Sequence, residues 1–203
     1  RDDGGLEIAV DARDLGGTLR GRRLDGRATF AMHGPATGAG EAGRTDFEGD
    51  VALTLGGSRV DARARVTDTL DIDARMSPLQ LADFVPQTNG ALRGTVRVTG
   101  PRTTPDIAAD LTGNALRYGD YAATHVRIDG RLPWQRASGT LDVSATGVQA
   151  GVALDTVRVS ARGAVQDLTL EADALGDIGA LALAADVQQR SGNWQGTLSK
   201  LRL

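Results

Sequence analysis

Cysteine is absent from this 203-residue chain, histidine occurs twice, and aromatic residues make up only 3% of it. The first absence removes a disulfide framework, a thiolate metal site and a cysteine nucleophile. It leaves the compartment open, because oxidising spaces also tolerate cysteine-free proteins. Long apolar runs are missing too. No stretch of about 18 residues could cross a bilayer as a helix, and no basic segment leads into an apolar one as in a signal peptide. The chain starts at Arg1 rather than Met, with strand-like alternation under way by Leu6. It therefore reads as an excised piece of a longer protein, whose signal or anchor would lie outside it. A formal charge of −3 and the scarcity of aromatics argue against nucleic acid as a partner.

Site chemistry is equally sparse. His33 and His125 fall on separate strand-like runs with no companion at metal-ligand spacing, and both read as solvated strand positions. Asp71-Ile72-Asp73 puts two carboxylates on one strand face, as glycoside hydrolysis would use, but alternation generates such pairs by default. Gly56-Gly57-Ser58 lacks the acidic position of calcium-binding β-roll repeats, and Asp2-Asp3-Gly4-Gly5 is no EF-hand loop. Arg20, Arg22, Arg23 and Arg27 form the one basic cluster; it reads as a solvated turn, with lipid headgroups as the rival reading. Tyr118, Tyr121, Trp134 and Trp194 read as packing residues. The expectation is a protein that is not an enzyme and uses no metal or cofactor.

What the chain has in quantity is alternation. Leu6, Ile8, Val10 and Ala12 oppose Glu7, Asp11 and Arg13; Leu24, Ala28, Phe30 and Met32 oppose Asp25, Arg27 and Thr29; Val60, Ala62, Ala64 and Val66 oppose Asp61, Arg63 and Arg65. The same parity recurs around Val96 and Val98, Val126 and Ile128, and Leu168 and Leu170. Period two over such runs places apolar groups on one side of a pleated strand and charge on the other. Antiparallel sheets with one dry and one wet face carry this pattern. The 27 glycines punctuate it, at Gly16-Gly17, Gly56-Gly57, Asn89-Gly90, Gly113-Asn114, Gly147, Gly163 and Gly176, all read as turns. Val96-Arg97-Val98, Val126-Arg127-Ile128 and Val157-Arg158-Val159 recur at intervals of about thirty residues, so two strands make one repeat of an array that grows by hairpins. The fold class is all-β, a long antiparallel meander of about a dozen strands.

The alternation breaks once. Ser77 suits an N-cap and Pro78 a first helical position, after which Leu81, Phe84 and Val85 follow at helical spacing until Pro86 stops them. This predicts a short capping helix over 77–86 between two lengths of hairpin repeat, 1–76 and 87–203. Two turns of helix cannot stand alone and must dock on something apolar.

A continuous aliphatic face can meet water in two ways. It can fold over into a closed sandwich, or it can stay open as a furrow, an apolar patch larger than soluble monomers expose without a ligand. An acyl chain suits the second case. Burying about 15 methylenes at ~0.8 kcal/mol each gives ~12 kcal/mol gross, before ordering costs.

Two stretches, "LADFVPQTNGALRGTVRVTG" and "PDIAADLTGNALRYGDYAATHVRIDGRL", resemble repeats of the TamB family in the AsmA-like superfamily of bacterial envelope proteins. Leu92, Gly94, Val96, Val98 and Gly100 fit its L-x-G-x-V-x-V-x-G strand, and Pro105, Ile107, Gly113, Leu116, Tyr118 and Gly119 fit the hairpin that follows. The closing "NWQGTLSKLRL" is similar to the family's W-x-G-x-L-x-x-L-x-L through Trp194, Gly196, Leu198, Leu201 and Leu203. The resemblance implies a taco-like curled sheet with an apolar interior, in a periplasmic chain anchored to the inner membrane. It implies a groove that carries phospholipid toward the outer membrane, and a partnership with TamA, an Omp85-type barrel that assists outer-membrane protein assembly. The anchor helix and the segment that meets the barrel are missing from this chain, so it would be an interior length of the conduit without its own TamA contact. Two other classes stay open: a structural or adhesive β-array, and a chaperone-like groove for outer-membrane protein strands. The family supplies no catalytic residues. Parity alone names the groove-lining positions: Leu6, Ile8, Val10, Phe30, Val96, Val98, Val126, Ile128, Leu168, Leu170, Leu181, Leu183 and Trp194. Leu81, Phe84 and Val85 would form a gating helix packed on that groove.

Overall fold

A computed structural model describes residues 6–34, 45–134, 138–177, 179–190 and 193–202. Thirteen strands form one antiparallel sheet in chain order. They are β1 (Leu6–Leu19), β2 (Arg22–Gly34), β3 (Asp46–Leu55), β4 (Ser58–Val66), β5 (Thr69–Gln80), β6 (Thr88–Pro101), β7 (Asp106–Tyr118), β8 (Tyr121–Leu132), β9 (Gly139–Gln149), β10 (Ala153–Ala164), β11 (Asp167–Gly176), β12 (Gly179–Arg190) and β13 (Asn193–Arg202). A single helical turn, α1 (Leu81–Phe84), lies between β5 and β6. Each strand pairs with its sequence neighbours, and among the described residues the sheet does not close, so β1 and β13 each have one unpaired edge there. The thirty-residue repeat is one hairpin: its Val-Arg-Val or Val-Arg-Ile triplets fall on β6, β8 and β10.

Cross-strand partners share a face, and the register carries apolar residues from one edge to the other. One row runs Val10, Phe30, Gly49, Ala64, Ile72, Val98, Ile107, Leu132, from β1 to β8. Another runs Met76, Gly94, Leu111, Ile128, Val143, Val159, Ala172, Leu183, Leu201, from β5 to β13. On the opposite face, charges of opposite sign meet across neighbouring strands: Arg63 with Asp50 at 2.6 Å, Arg65 with Glu48 at 2.6 Å, Arg97 with Asp73 at 2.6 Å and Arg162 with Glu171 at 2.8 Å. All are solvent-exposed. Their consequence is register, because a one-residue slip would turn every pair, and every apolar row, to the wrong side.

The dry face has not folded over into a closed sandwich. Among the described aliphatic and aromatic side chains only Leu55 and Ala161 are buried. The accessible surface is 13247 Å², against about 9,000 Å² for a compact monomer of this mass. The sheet is open and curled. Part of the curl comes from Gly94 (φ +130°) and Gly130 (φ +136°), where a Cβ would stand 1.9 Å from the Asp110 carbonyl oxygen and 2.0 Å from that of Thr140. At these points the neighbouring backbone occupies side-chain space, so only glycine lets the strand bend there. Bonds between connections two strands apart also gather one rim: the Val165 N–H donates to the Pro133 carbonyl (2.8 Å) and the Gln189 N–H to that of Gln166 (2.9 Å).

Two local expectations change. The helix is one turn rather than two: Ser77 and Pro78 belong to β5, and the N-cap is Gln80, with no side-chain capping bond. The β5–β6 register shifts between Met76 and Leu79, and this bulge takes up the proline, which has no N–H to give the ladder. At the other end Val85 is extended (φ −120°, ψ 124°), as a residue before proline should be. Gly16-Gly17, Asn89-Gly90, Gly113-Asn114, Gly147 and Gly163 are not turns but lie inside β1, β6, β7, β9 and β10.

Candidate functional site

All thirteen positions named from parity lie on the dry face by register. Leu6, Ile8 and Val10 face Gly34, Met32 and Phe30; Val126 faces Gly113; Leu168 and Leu170 face Gly163 and Ala161; Leu181 faces Ala174 and Trp194 faces Gln189. Those in the middle of the sheet are half-buried by neighbouring side chains, while Leu181 on β12 and those on the two edge strands are exposed. Twelve spacings of about 4.8 Å make this face ~58 Å long, and strands of about a dozen residues make it ~40 Å wide. Its lining is thin because Gly49, Ala64, Ala74, Gly94, Ala109, Gly130 and Ala161 alternate with the larger residues in the rows.

Strand ends form two rims. The helical rim carries the β1–β2, β3–β4, β7–β8, β9–β10 and β11–β12 connections together with α1. Here Leu81 lines an apolar cavity of about 340 Å³ with Leu116, Tyr118, Tyr121, Ala123 and Val148. Phe84 and Val85 do not join it. Both are exposed, because the buried position of this turn is taken by Asp83. The Asp83 carboxylate accepts from the Ser58 hydroxyl (2.6 Å) and the Gly57 N–H (3.1 Å), and its other oxygen meets the Arg22 guanidinium at 2.8 Å. Ser58, itself buried, accepts from the Gln80 N–H at 2.8 Å. Arg20 Nη1 donates to the Phe84 carbonyl. The helical turn is thus latched to the β3–β4 and β1–β2 turns by a polar knot. The sequence carried one sign of it, the Gly56-Gly57-Ser58 turn, where a Cβ on Gly56 would reach within 3.0 Å of Asp83.

A line of backbone exceptions prepares the cavity. Gly90 (φ +99°), Ala115 (φ +50°) and Gly147 (φ +58°) lie near the same rim on β6, β7 and β9. Alternation breaks at Ala115: a Cβ on Gly113 would stand 2.7 Å from Leu116 Cδ1 and 3.1 Å from Leu92 Cδ2. Gly113 and Leu92 are dry-face partners. Leu116 has therefore crossed to the dry side, although its number has the wet-face parity.

Among the described residues the wet face holds ion pairs and no converging acid–base set. Asp73, one of the two carboxylates flanking Ile72, is held by two hydrogen bonds from Arg97. His33 meets Glu7 at 3.2 Å, and His125 sits in a shallow polar depression with Asn114, Arg127 and Thr146. Asp106 accepts from the Trp134 N–H (2.9 Å) and Arg131 (2.6 Å), and these hold its carboxyl below the usual range, the backbone bond most strongly. Among the described residues no three His, Cys, Asp or Glu side chains converge as metal ligands, and no helix is long and apolar enough to cross a membrane.

One uncovered apolar face, a wet face of paired charges and a rim latched by a helical turn define an open β-groove protein built from hairpin repeats. The chain matches the family described as TamB, N-terminal domain, over residues 1–203, and it belongs to that family. No solved structure matches it.

Proposed function

We propose that the dry face is a length of conduit that takes phospholipid acyl chains, in a periplasmic protein that moves lipid between inner and outer membranes and acts with an outer-membrane assembly system. The supporting observation is the two overlapping apolar rows that together cross all thirteen described strands without being covered. An acyl chain spans about half of a ~30 Å hydrocarbon core, which fits within the ~40 Å width of the face. The thin Ala, Val and Gly lining leaves room for it where aromatic residues would not. Catalysis forms no part of this reading, and neither does a cofactor. The TamA barrel enters it as a partner of the longer chain.

The test is photo-crosslinking with mass spectrometry of the purified chain, the photoreactive residue placed at positions 30, 98 and 170 or at wet-face positions 97 and 171. Phospholipid adducts at the first three alone are expected. A folded chain without adducts, or with equal adducts on both faces, would overturn the proposal. The two free edges favour a second reading, in which β1 or β13 pairs with strands of outer-membrane proteins. Adducts of a β-hairpin peptide at those edges, without lipid on the dry face, would select it.

A further inference from the structure

The two rims differ in a way that an apolar groove does not require. Among the described residues outside the edge strands, the exposed large apolar side chains are Phe84, Val85, Tyr118, Tyr121, Val152 and Leu175 on the helical rim, with Ile107 and Leu181 elsewhere. Tyr118 and Tyr121 are 64% and 63% exposed, on either side of the β7–β8 turn. The described part of the opposite rim is engaged with itself. There Arg102 donates to the carbonyls of Thr45 (2.8 Å) and Val66 (3.0 Å), and the backbone bonds at Val165 and Gln189 join further connections.

Charge distinguishes the helical rim as well. Arg22 is neutralised by Asp83 and Arg23 by Asp25, but Arg20 meets only the Phe84 carbonyl among the described residues. A cation without a carboxylate thus stands beside exposed Phe84 and Val85, with two tyrosines further along. Amphipathic tyrosines, apolar tips and a cation on a flexible stem are the chemistry of a lipid–water interface. We propose that the helical rim docks on the surface of an anionic phospholipid bilayer. Phe84, Val85, Tyr118 and Tyr121 enter the headgroup layer, and Arg20 exchanges its carbonyl partner for lipid phosphate. Arg117 beside Tyr118 offsets Asp120, and Asp155 and Asp177 lie further along the same rim toward β12. Contact is therefore tightest at the β1–β2 and α1 end, and the sheet leans away from the bilayer toward β13. This deepens the conduit reading and rests on it for its purpose, since a docked lip would let a lipid slide from bilayer to dry face without crossing water.

Sedimentation with vesicles of phosphatidylcholine alone, or of phosphatidylcholine and phosphatidylglycerol mixed two to one, tests the docking. The intact chain is expected to bind the mixed vesicles. Arg20→Gln should weaken that binding about fivefold, the worth of one basic residue at an anionic surface, without changing binding to phosphatidylcholine. Tyr118→Ser with Tyr121→Ser should weaken binding to both, Asp120→Asn should strengthen binding to mixed vesicles, and Ile107→Ser should change nothing. Because the chain has no native cysteine, an environment-sensitive fluorophore can be attached at position 118 or 166; a blue shift on vesicles is expected only at 118. Absence of vesicle binding, an equal loss from Ile107→Ser, or an unshifted fluorophore at 118 on bound protein would overturn the proposal. Val98→Lys separates the two readings, since it should abolish acyl-chain adducts while leaving docking intact. Lost docking with adducts retained would refute the rim alone.

Discussion

Replacing Asp83 by alanine is expected to destabilise the chain by about 3 kcal/mol. The carboxylate serves three donors, of which the Ser58 hydroxyl is buried and the Gly57 N–H partly so. Charge-assisted bonds of this kind contribute about 1.5–3 kcal/mol each. The Arg22 side chain is 43% exposed, so its ion pair adds about 1 kcal/mol at most. Relief of carboxylate desolvation offsets part of the sum. Asp83→Asn keeps the shape and one acceptor, and should cost about 1–2 kcal/mol, while Arg22→Ala should cost about 1 kcal/mol or less. The competing account holds that α1 is fixed by the apolar contacts of Leu81. Half-burial of a leucine contributes about 1 kcal/mol, so under that account Leu81→Ala would outrank Asp83→Ala. Urea unfolding supplies the order of the four variants. Amide exchange at Gly57 and Val85 then shows whether the loss is local, as it should be in a sheet where each hairpin touches only its neighbours. A cost below about 1 kcal/mol for Asp83→Ala, or a larger one for Leu81→Ala, would refute the polar latch.

Gly94→Ala and Gly130→Ala should each cost about 3 kcal/mol or more, or prevent folding, because the new Cβ meets a backbone oxygen at about 2 Å in a left-handed region of φ; near-wild-type unfolding midpoints would show that the curl does not depend on them. Asp106 predicts an acid-side effect. Its carboxyl is held below the ordinary range, so its contribution is complete above the unfolded-state value and is lost as pH falls through the folded one. Asp106→Asn should flatten that limb of a stability-against-pH curve and leave the neutral-pH slope unaltered, and an unchanged acid limb would count against the Trp134 and Arg131 bonds as its cause.

The strands were legible because the dry face imposes period two on nearly every run, and the strand order of this sheet never departs from chain order. What alternation could not convey lies where the backbone leaves it. Gly90 and Gly147 have the composition of turns, yet β6 and β9 run through them; the clue was that Val148 follows Val143 and Ala145 on the other parity. Ala115 is harder still, since nothing marks an alanine for positive φ except Asn114 before it and Leu116 after it. The latch was illegible for a different reason. A pattern argument sends every charge to the wet face, and α1 is too short for its own period to correct that assignment.

Asp83 is buried because the helical turn has too little apolar area to hold itself, and a carboxylate can draw in three donors from two separate turns. With those bonds made, Phe84 and Val85 are left facing outward. Two of the three residues chosen from spacing as a gate packed on the groove, Phe84 and Val85, are exposed instead, where an apolar side chain gains only from a surface other than the protein's own.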